Sequence, residues 1–149
     1  MQLKEVLANF DILDFYGDEC AEVTGIAADS RRVVPGCIFA AIHGHHFDGH
    51  DFLPSAREGG ATTVLSEQPP SFYLSLEWNW IRVRAVRPAM ALAALAVPGH
   101  PDRRVPLIGI TGTSGKTTTS YMLEAVYHAA GARPAVLGTV SYRFDGVET

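Results

Sequence analysis

The 149-residue sequence is poor in cysteine, poor in lysine and free of long apolar runs. Its two cysteines, Cys20 and Cys37, lack the paired spacing of a metal or redox motif, which excludes a disulfide scaffold as the basis of its stability. The longest uninterrupted apolar run, Ala89 to Val97, is about half of what a membrane-spanning helix requires. No basic segment followed by an apolar stretch opens the chain, so no secretory signal is expected. A formal charge of −4 argues against a nucleic-acid binder, which usually carries a basic excess or stripe. With 47% hydrophobic and 19% charged residues, the composition is that of a globular protein rather than a disordered one. A cytoplasmic protein is expected, with no membrane or nucleic-acid partner.

Short apolar segments alternate with helical ones along the chain. Leu3, Val6, Leu7 and Phe10 have the spacing of a short amphipathic helix. The acidic stretch from Asp11 to Glu22 reads as a solvated loop. Val23 to Ala28 and Cys37 to Ile42 read as strands, His50 to Glu58 as a helix stopped by Gly59-Gly60, and Thr62 to Leu65 as a buried strand. Trp80 to Val86 alternates like a half-buried strand, with Trp78 and Trp80 read as packing or surface residues. Pro88 to Val97 reads as a helix with proline in its first turn.

Pro98 to Arg104 combines two prolines, a glycine and three charged residues, and marks a linker. Two domains follow, residues 1–103 and 104–149. The second opens on Val105 to Ile110, read as an apolar strand. A glycine turn, a helix from Lys116 to Ala130 and a strand from Ala135 to Val140 come next. The alternation favours an α/β fold. A parallel sheet needs both faces covered, which two strands and one helix cannot supply. The expectation is a second domain that is incomplete within this chain.

The strongest chemical feature is Gly109-Ile110-Thr111-Gly112-Thr113-Ser114-Gly115-Lys116-Thr117-Thr118. Glycines let a loop curl its N–H groups toward phosphate oxygens, and the following helix adds its positive end. Lys116 is one of only two lysines and would put a point charge on the β- and γ-phosphates of ATP. The Thr117 hydroxyl would serve as an Mg2+ ligand. The strict pattern has glycine where this chain has Ile110. The competing reading is an ordinary strand-to-helix turn with an incidental lysine.

The run Gly112-Thr113-Ser114-Gly115-Lys116-Thr117-Thr118 resembles the phosphate loop of the Mur ligases, ATP-dependent amide-forming enzymes of peptidoglycan synthesis. Ser114 replaces the asparagine common there. The loop alone would also suit folylpolyglutamate or cyanophycin synthetases. Asp29-Ser30-Arg31, Pro35-Gly36-Cys37-Ile38-Phe39-Ala40-Ala41 and Gly44-His45-His46-Phe47-Asp48-Gly49-His50-Asp51-Phe52 are similar to the N-terminal UDP-binding domain of the MurE and MurF types. Ala135-Val136-Leu137-Gly138-Thr139-Val140 is similar to the MurE segment after the ATP helix.

The resemblance implies a small Rossmann-like α/β UDP-binding domain followed by the first strand, phosphate loop, helix and strand of a parallel-sheet ATPase domain. It implies the addition of the third amino acid to UDP-N-acetylmuramoyl-L-Ala-D-Glu through an acyl phosphate, with ATP and Mg2+. Gly112 to Thr118 would bind ATP, with Lys116 and Thr117 catalytic and Thr117 on the metal. Ala28, Ser30, His45, His46 and Phe47 would hold the UDP-sugar, with Arg31 near the diphosphate. The third amino acid, diaminopimelate or lysine, is not legible in these residues. The acidic Mg2+ ligand and the carbamylated lysine of the central domain have no counterpart here, so the chain alone is expected not to complete ligation, and to be a monomer. A MurF-type ligase or a non-catalytic UDP-sugar-binding module are the alternatives.

Two other readings compete for the same residues. His43, His45, His46 and His50, with Asp48 and Asp51 nearby, could be a metal site, a ligand-recognition loop or surface histidines. Asp29-Ser30 could suggest a hydrolase, but no G-x-S-x-G elbow supports one.

Overall fold

The computed structural model describes residues 1–8, 10–44, 47–70 and 78–148. The chain divides into two compact units, Met1–Val105 and Pro106–Thr149.

In the first unit, α1 (Leu3–Leu7) buries Leu3, Val6 and Leu7, as their helical spacing requires. Four strands follow in parallel: β2 (Ile26–Ala27), β3 (Ile38–Ala40), β4 (Thr63–Ser66) and β5 (Asn79–Val83). The fifth, β1 (Ile12–Tyr16), pairs antiparallel with β5, giving the order β1-β5-β4-β3-β2. Helices α2 (Leu53–Glu58) and α3 (Val86–Ala96) complete the unit.

Because neighbouring side chains on a strand point to opposite faces, the parallel strands feed two cores. Ile38, Ala40, Leu65, Ile81 and Val83 pack with α1 and with Val86, Ala89, Ala93 and Ala96 of α3. Phe39, Ala41, Val64 and Trp80 pack on the other side with Leu53 and Ala56 of α2 and with Trp78. Covering both faces is why every residue of β3 and β4 is buried, including the polar Thr63 and Ser66 at the ends of β4.

Three expectations are revised. The acidic stretch after Phe10 is not all loop: Ile12 to Tyr16 is an edge strand whose Asp14 meets Arg82 of β5 at 2.8 Å. Ile12 and Phe15 pack on the core. Of the charges that suggested a loop, only Asp14 lies within that strand; Asp11, Asp18, Glu19 and Glu22 flank it or follow it. β5 itself is not half-buried, since Trp80, Ile81 and Val83 are all buried between neighbours on both sides. The helix expected from His50 starts as a 3-10 turn, Gly49–Phe52, capped by Asp48, and becomes α-helical only at Leu53, next to Pro54.

The second unit contains α4 (Lys116–Ala129) and a three-stranded antiparallel meander, β6 (Ala135–Leu137), β7 (Tyr142–Phe144) and β8 (Val147–Glu148). No residue of Val105 to Ile110, expected as a strand, belongs to one, and Val105, Leu107 and Ile108 are exposed. A strand exists only through its ladder, so an apolar run without a neighbour stays irregular. β6 likewise pairs with the returning β7 rather than in parallel. Among the described residues no helix is long and apolar enough to cross a membrane.

Candidate functional site

Two groups of residues carry chemistry, one in each unit. In the first, the parallel strands all end on one edge, where open α/β sheets place their ligands. β2 and β3 are neighbours in register, Ile26 against Ile38 and Ala27 against Phe39. The segments that follow them therefore emerge side by side. After β2 comes exposed Ala28, then a turn in which the Asp29 carboxylate accepts the Arg31 backbone N–H at 3.0 Å and grips the Arg31 guanidinium at 2.7 and 2.9 Å. Ser30 begins the 3-10 turn Ser30–Arg32 and is partly exposed.

After β3 comes a tight hairpin closed by the His43–Asp48 bridge, with Gly44 N–H to Phe47 O and Gly49 N–H to Ile42 O, both 2.9 Å. Gly49 must be glycine, because a Cβ there would lie 2.5 Å from the Ile42 nitrogen. Phe47 is 74% exposed, an aromatic face turned to solvent. The structure thus places Ala28, Ser30 and Phe47 on one sheet edge. His45 and His46 lie outside the described residues.

Behind the hairpin, Asp48 accepts the His50 backbone N–H at 2.9 Å and faces His50 Nδ1 at 2.6 Å and His43 Nδ1 at 3.2 Å. His50 Nε2 lies 2.7 Å from the Ser66 hydroxyl, which accepts the Gln68 N–H at 2.9 Å. Sequence reasoning missed Ser66; only the β3–β4 register brings it beside His50. Ser66, His50 and Asp48 repeat the atom order of a hydrolase triad, but Ser66 is fully buried and has no path to a substrate. Among the described residues no group of three metal-ligating side chains converges.

The two turn carboxylates titrate low. The Arg31 guanidinium, then the Arg31 backbone N–H, hold Asp29 at about 2. The His50 backbone N–H, then its side chain, hold Asp48 at about 2. Both lie below the ordinary 3.8, so the folded chain binds fewer protons than the unfolded chain in this range. Their stabilisation is complete above about pH 4 and is lost as pH falls through 2. The double variant D29N/D48N is expected to flatten the acid limb of Tm between pH 4 and 2, followed by circular dichroism. An acid limb identical to that of the parent would disprove the assignment.

In the second unit, Thr111 to Thr119 are all exposed. Gly115 has φ +79°, a left-handed conformation that suits glycine, and starts α4 with no side-chain cap. The first-turn N–H groups of a helix have no intrahelical acceptors, so this uncapped start offers them, with the dipole, to an anion. Lys116 Nζ bends back to the Gly112 carbonyl, closing the loop. The hydroxyls of Thr117 and Thr118 lie on the same first turn. The arrangement fits a triphosphate: orphan amides, one ammonium and hydroxyl donors, with no acidic residue from Gly109 to Tyr121.

Comparison with known proteins gives concordant findings. The model described as "Mur ligase family, catalytic domain" matches residues 22–104, more than half of the chain. The UDP-N-acetylmuramoyl-L-alanyl-D-glutamate–2,6-diaminopimelate ligase of Geobacter sulfurreducens is 45% identical over 144 residues, covering 97% of this chain and 28% of that protein. A solved structure of an enzyme with the same name superposes with a TM-score of 0.75 at 25% identity, covering 97% of this chain and 28% of that one. The MurF ligase of Thermotoga maritima, crystallised with ADP, superposes with a TM-score of 0.56 at 26% identity, covering 74% of this chain and 24% of that one. The chain spans under a third of the length of the curated relatives it matches.

Proposed function

This chain belongs to the Mur ligase family, and from that premise we propose that it forms the uridine-binding and phosphate-binding portion of a cytoplasmic, monomeric MurE-type ligase. The whole enzyme joins the third amino acid to UDP-N-acetylmuramoyl-L-Ala-D-Glu; in the Geobacter relative that amino acid is 2,6-diaminopimelate. The reading is carried by the 45% identity to that relative over nearly the whole chain, which spans both the sheet edge and the phosphate loop.

The division of labour follows from the residues. Residues 1–103 form the UDP-sugar domain, with Ala28, Ser30 and Phe47, joined by His45 and His46 on the sequence resemblance alone, gripping the uridine end. A serine hydroxyl can donate to or accept from a base edge, and an exposed aromatic ring can stack on a flat base. Residues 104–149 begin the ATP domain. There Gly112 to Thr118 hold the phosphates by backbone N–H groups, and Lys116 neutralises charge at the tail. Thr117 is the residue of this chain suited to hold Mg2+, which supplies further charge neutralisation when bound. Such positioning and charge balance are the main protein contribution to phosphoryl transfer. Anchoring the uridine end holds the distant carboxylate ready for activation, a proximity effect. That carboxylate attacks the γ-phosphorus of ATP, releasing ADP and forming the acyl phosphate, and the amine of the incoming amino acid then displaces phosphate to give the amide.

Calorimetry tests this with two ligands, UDP-N-acetylmuramoyl-dipeptide and Mg-ATP. Both should bind, and Ser30→Ala should weaken the first about tenfold, a hydrogen bond of roughly 1.4 kcal/mol, while leaving the second unchanged. Absence of binding by either ligand would sink the reading. Ligation by this chain alone would overturn its assignment as part of the machinery.

A further inference from the structure

We propose that His50 is a positioning residue for the nucleotide-sugar end: clamped between Asp48 and Ser66, its imidazole fastens the 43–48 hairpin to the end of β4 and so holds Phe47 at the sheet edge. The inference rests on the proposed uridine site and adds to it residues that stand behind the contact surface.

The ionised Asp48 carboxylate only accepts, so His50 Nδ1, 2.6 Å from its Oδ1, carries a proton and donates to it. On the other side of the ring, His50 Nε2 lies 2.7 Å from Ser66 Oγ, which accepts the Gln68 N–H. Asp48 Oδ1 also takes the His50 backbone N–H, and Oδ2 takes His43. The imidazole rests near the Trp80 ring, centroids 6.2 Å apart and planes 25° from parallel, and the Trp80 indole N–H is held by Gln68 O at 2.9 Å. One connected network therefore runs from buried β4 and β5 to the base of the exposed hairpin. Immediately outside it, Gly44 and Phe47 are joined by a backbone bond, and Phe47 presents the exposed ring. Among the described residues, His50 is what links Asp48 to Ser66. A hairpin free to leave its binding geometry weakens affinity by the fraction of time it is misplaced.

The test uses UDP as the calorimetric probe and hydrogen exchange at the Gly44 and Gly49 amides as the readout of the hairpin. For His50→Ala, UDP affinity should fall on the order of tenfold and both amides should exchange faster, with Mg-ATP affinity unchanged. His50→Asn, which can still donate to Asp48 from the Nδ1 position, should recover part of both effects. Ser66→Ala should resemble a milder His50→Ala, and these two variants carry the test if His50→Ala fails to fold. UDP affinity within twofold of the parent overturns the proposal and leaves the proposed function standing. So does weakened affinity with unchanged exchange, which would make His50 a direct contact instead. A parent chain that binds no UDP overturns the proposed function, and this inference with it.

Discussion

Lys116→Ala is expected to weaken Mg-ATP binding by about tenfold to a hundredfold, with the fold unchanged. The ammonium is the only positive side chain between Arg104 and Arg133. Its position over the Gly112 carbonyl puts it at the mouth of the loop. Hydrogen bonds to charged groups contribute about 1.5–3 kcal/mol, which sets the expected range. The amides of the first α4 turn remain in the variant, so weak residual binding is expected rather than none. Lys116→Arg should recover only part of the affinity, because a planar fork does not replace a compact point charge inside a narrow loop. Circular dichroism checks the fold, and titration calorimetry with Mg-ATP measures the effect. An affinity equal to that of the parent would remove the phosphate loop from the account.

The phosphate loop is readable from sequence because its chemistry is local. Consecutive residues supply the turn, the amides, the ammonium and the hydroxyls, and α4 begins at Lys116 as its spacing indicates. The two cores are nearly as legible, since β3 and β4 are apolar on both faces and bounded by turn residues. What depends on distant partners is not legible. β1 reads as a loop because Asp11, Asp14 and Asp18 dominate its local composition; only pairing with β5, nearly seventy residues away, makes it a strand. Residues 105–110 err in the opposite direction, being apolar enough for a strand but without a ladder among the described residues.

Ser66 and His50 are sixteen residues apart, so no local motif links them. One available signal is easily passed over: Asp145-Gly146, both at positive φ, form the kind of two-residue turn that closes a hairpin. An emphasis on apolar runs hides β7 and β8 behind it. The Asp48-Gly49 pair is also visible as a turn, but its further role as the acceptor for two histidines appears only when the hairpin closes.

Trp80→Ala should cost the first unit about 3–5 kcal/mol, the range for removing a large buried aromatic side chain. Trp80 is 1% exposed and packs in the same core as Phe39, Val64 and Trp78. Its indole N–H meets the Gln68 carbonyl at 2.9 Å. A small unit has a total stability of only about 5–15 kcal/mol, so the loss is a large share of it, and Tm should fall by ten degrees or more on the usual scaling. Trp80→Phe separates the two contributions. It keeps most of the packing but leaves the Gln68 carbonyl without its donor, a cost of about 1–3 kcal/mol. Leu92→Ala, on an exposed part of α3, should change stability by less than about 1 kcal/mol. Urea titration of the three variants, monitored by circular dichroism, orders them. Equal midpoints for Trp80→Ala and Leu92→Ala would mean that the second core does not carry the unit's stability. Because Gln68 also donates to Ser66, Trp80→Phe should loosen the His50 network before the sheet itself gives way, and faster exchange at the Gly49 amide in a folded variant is the expected sign.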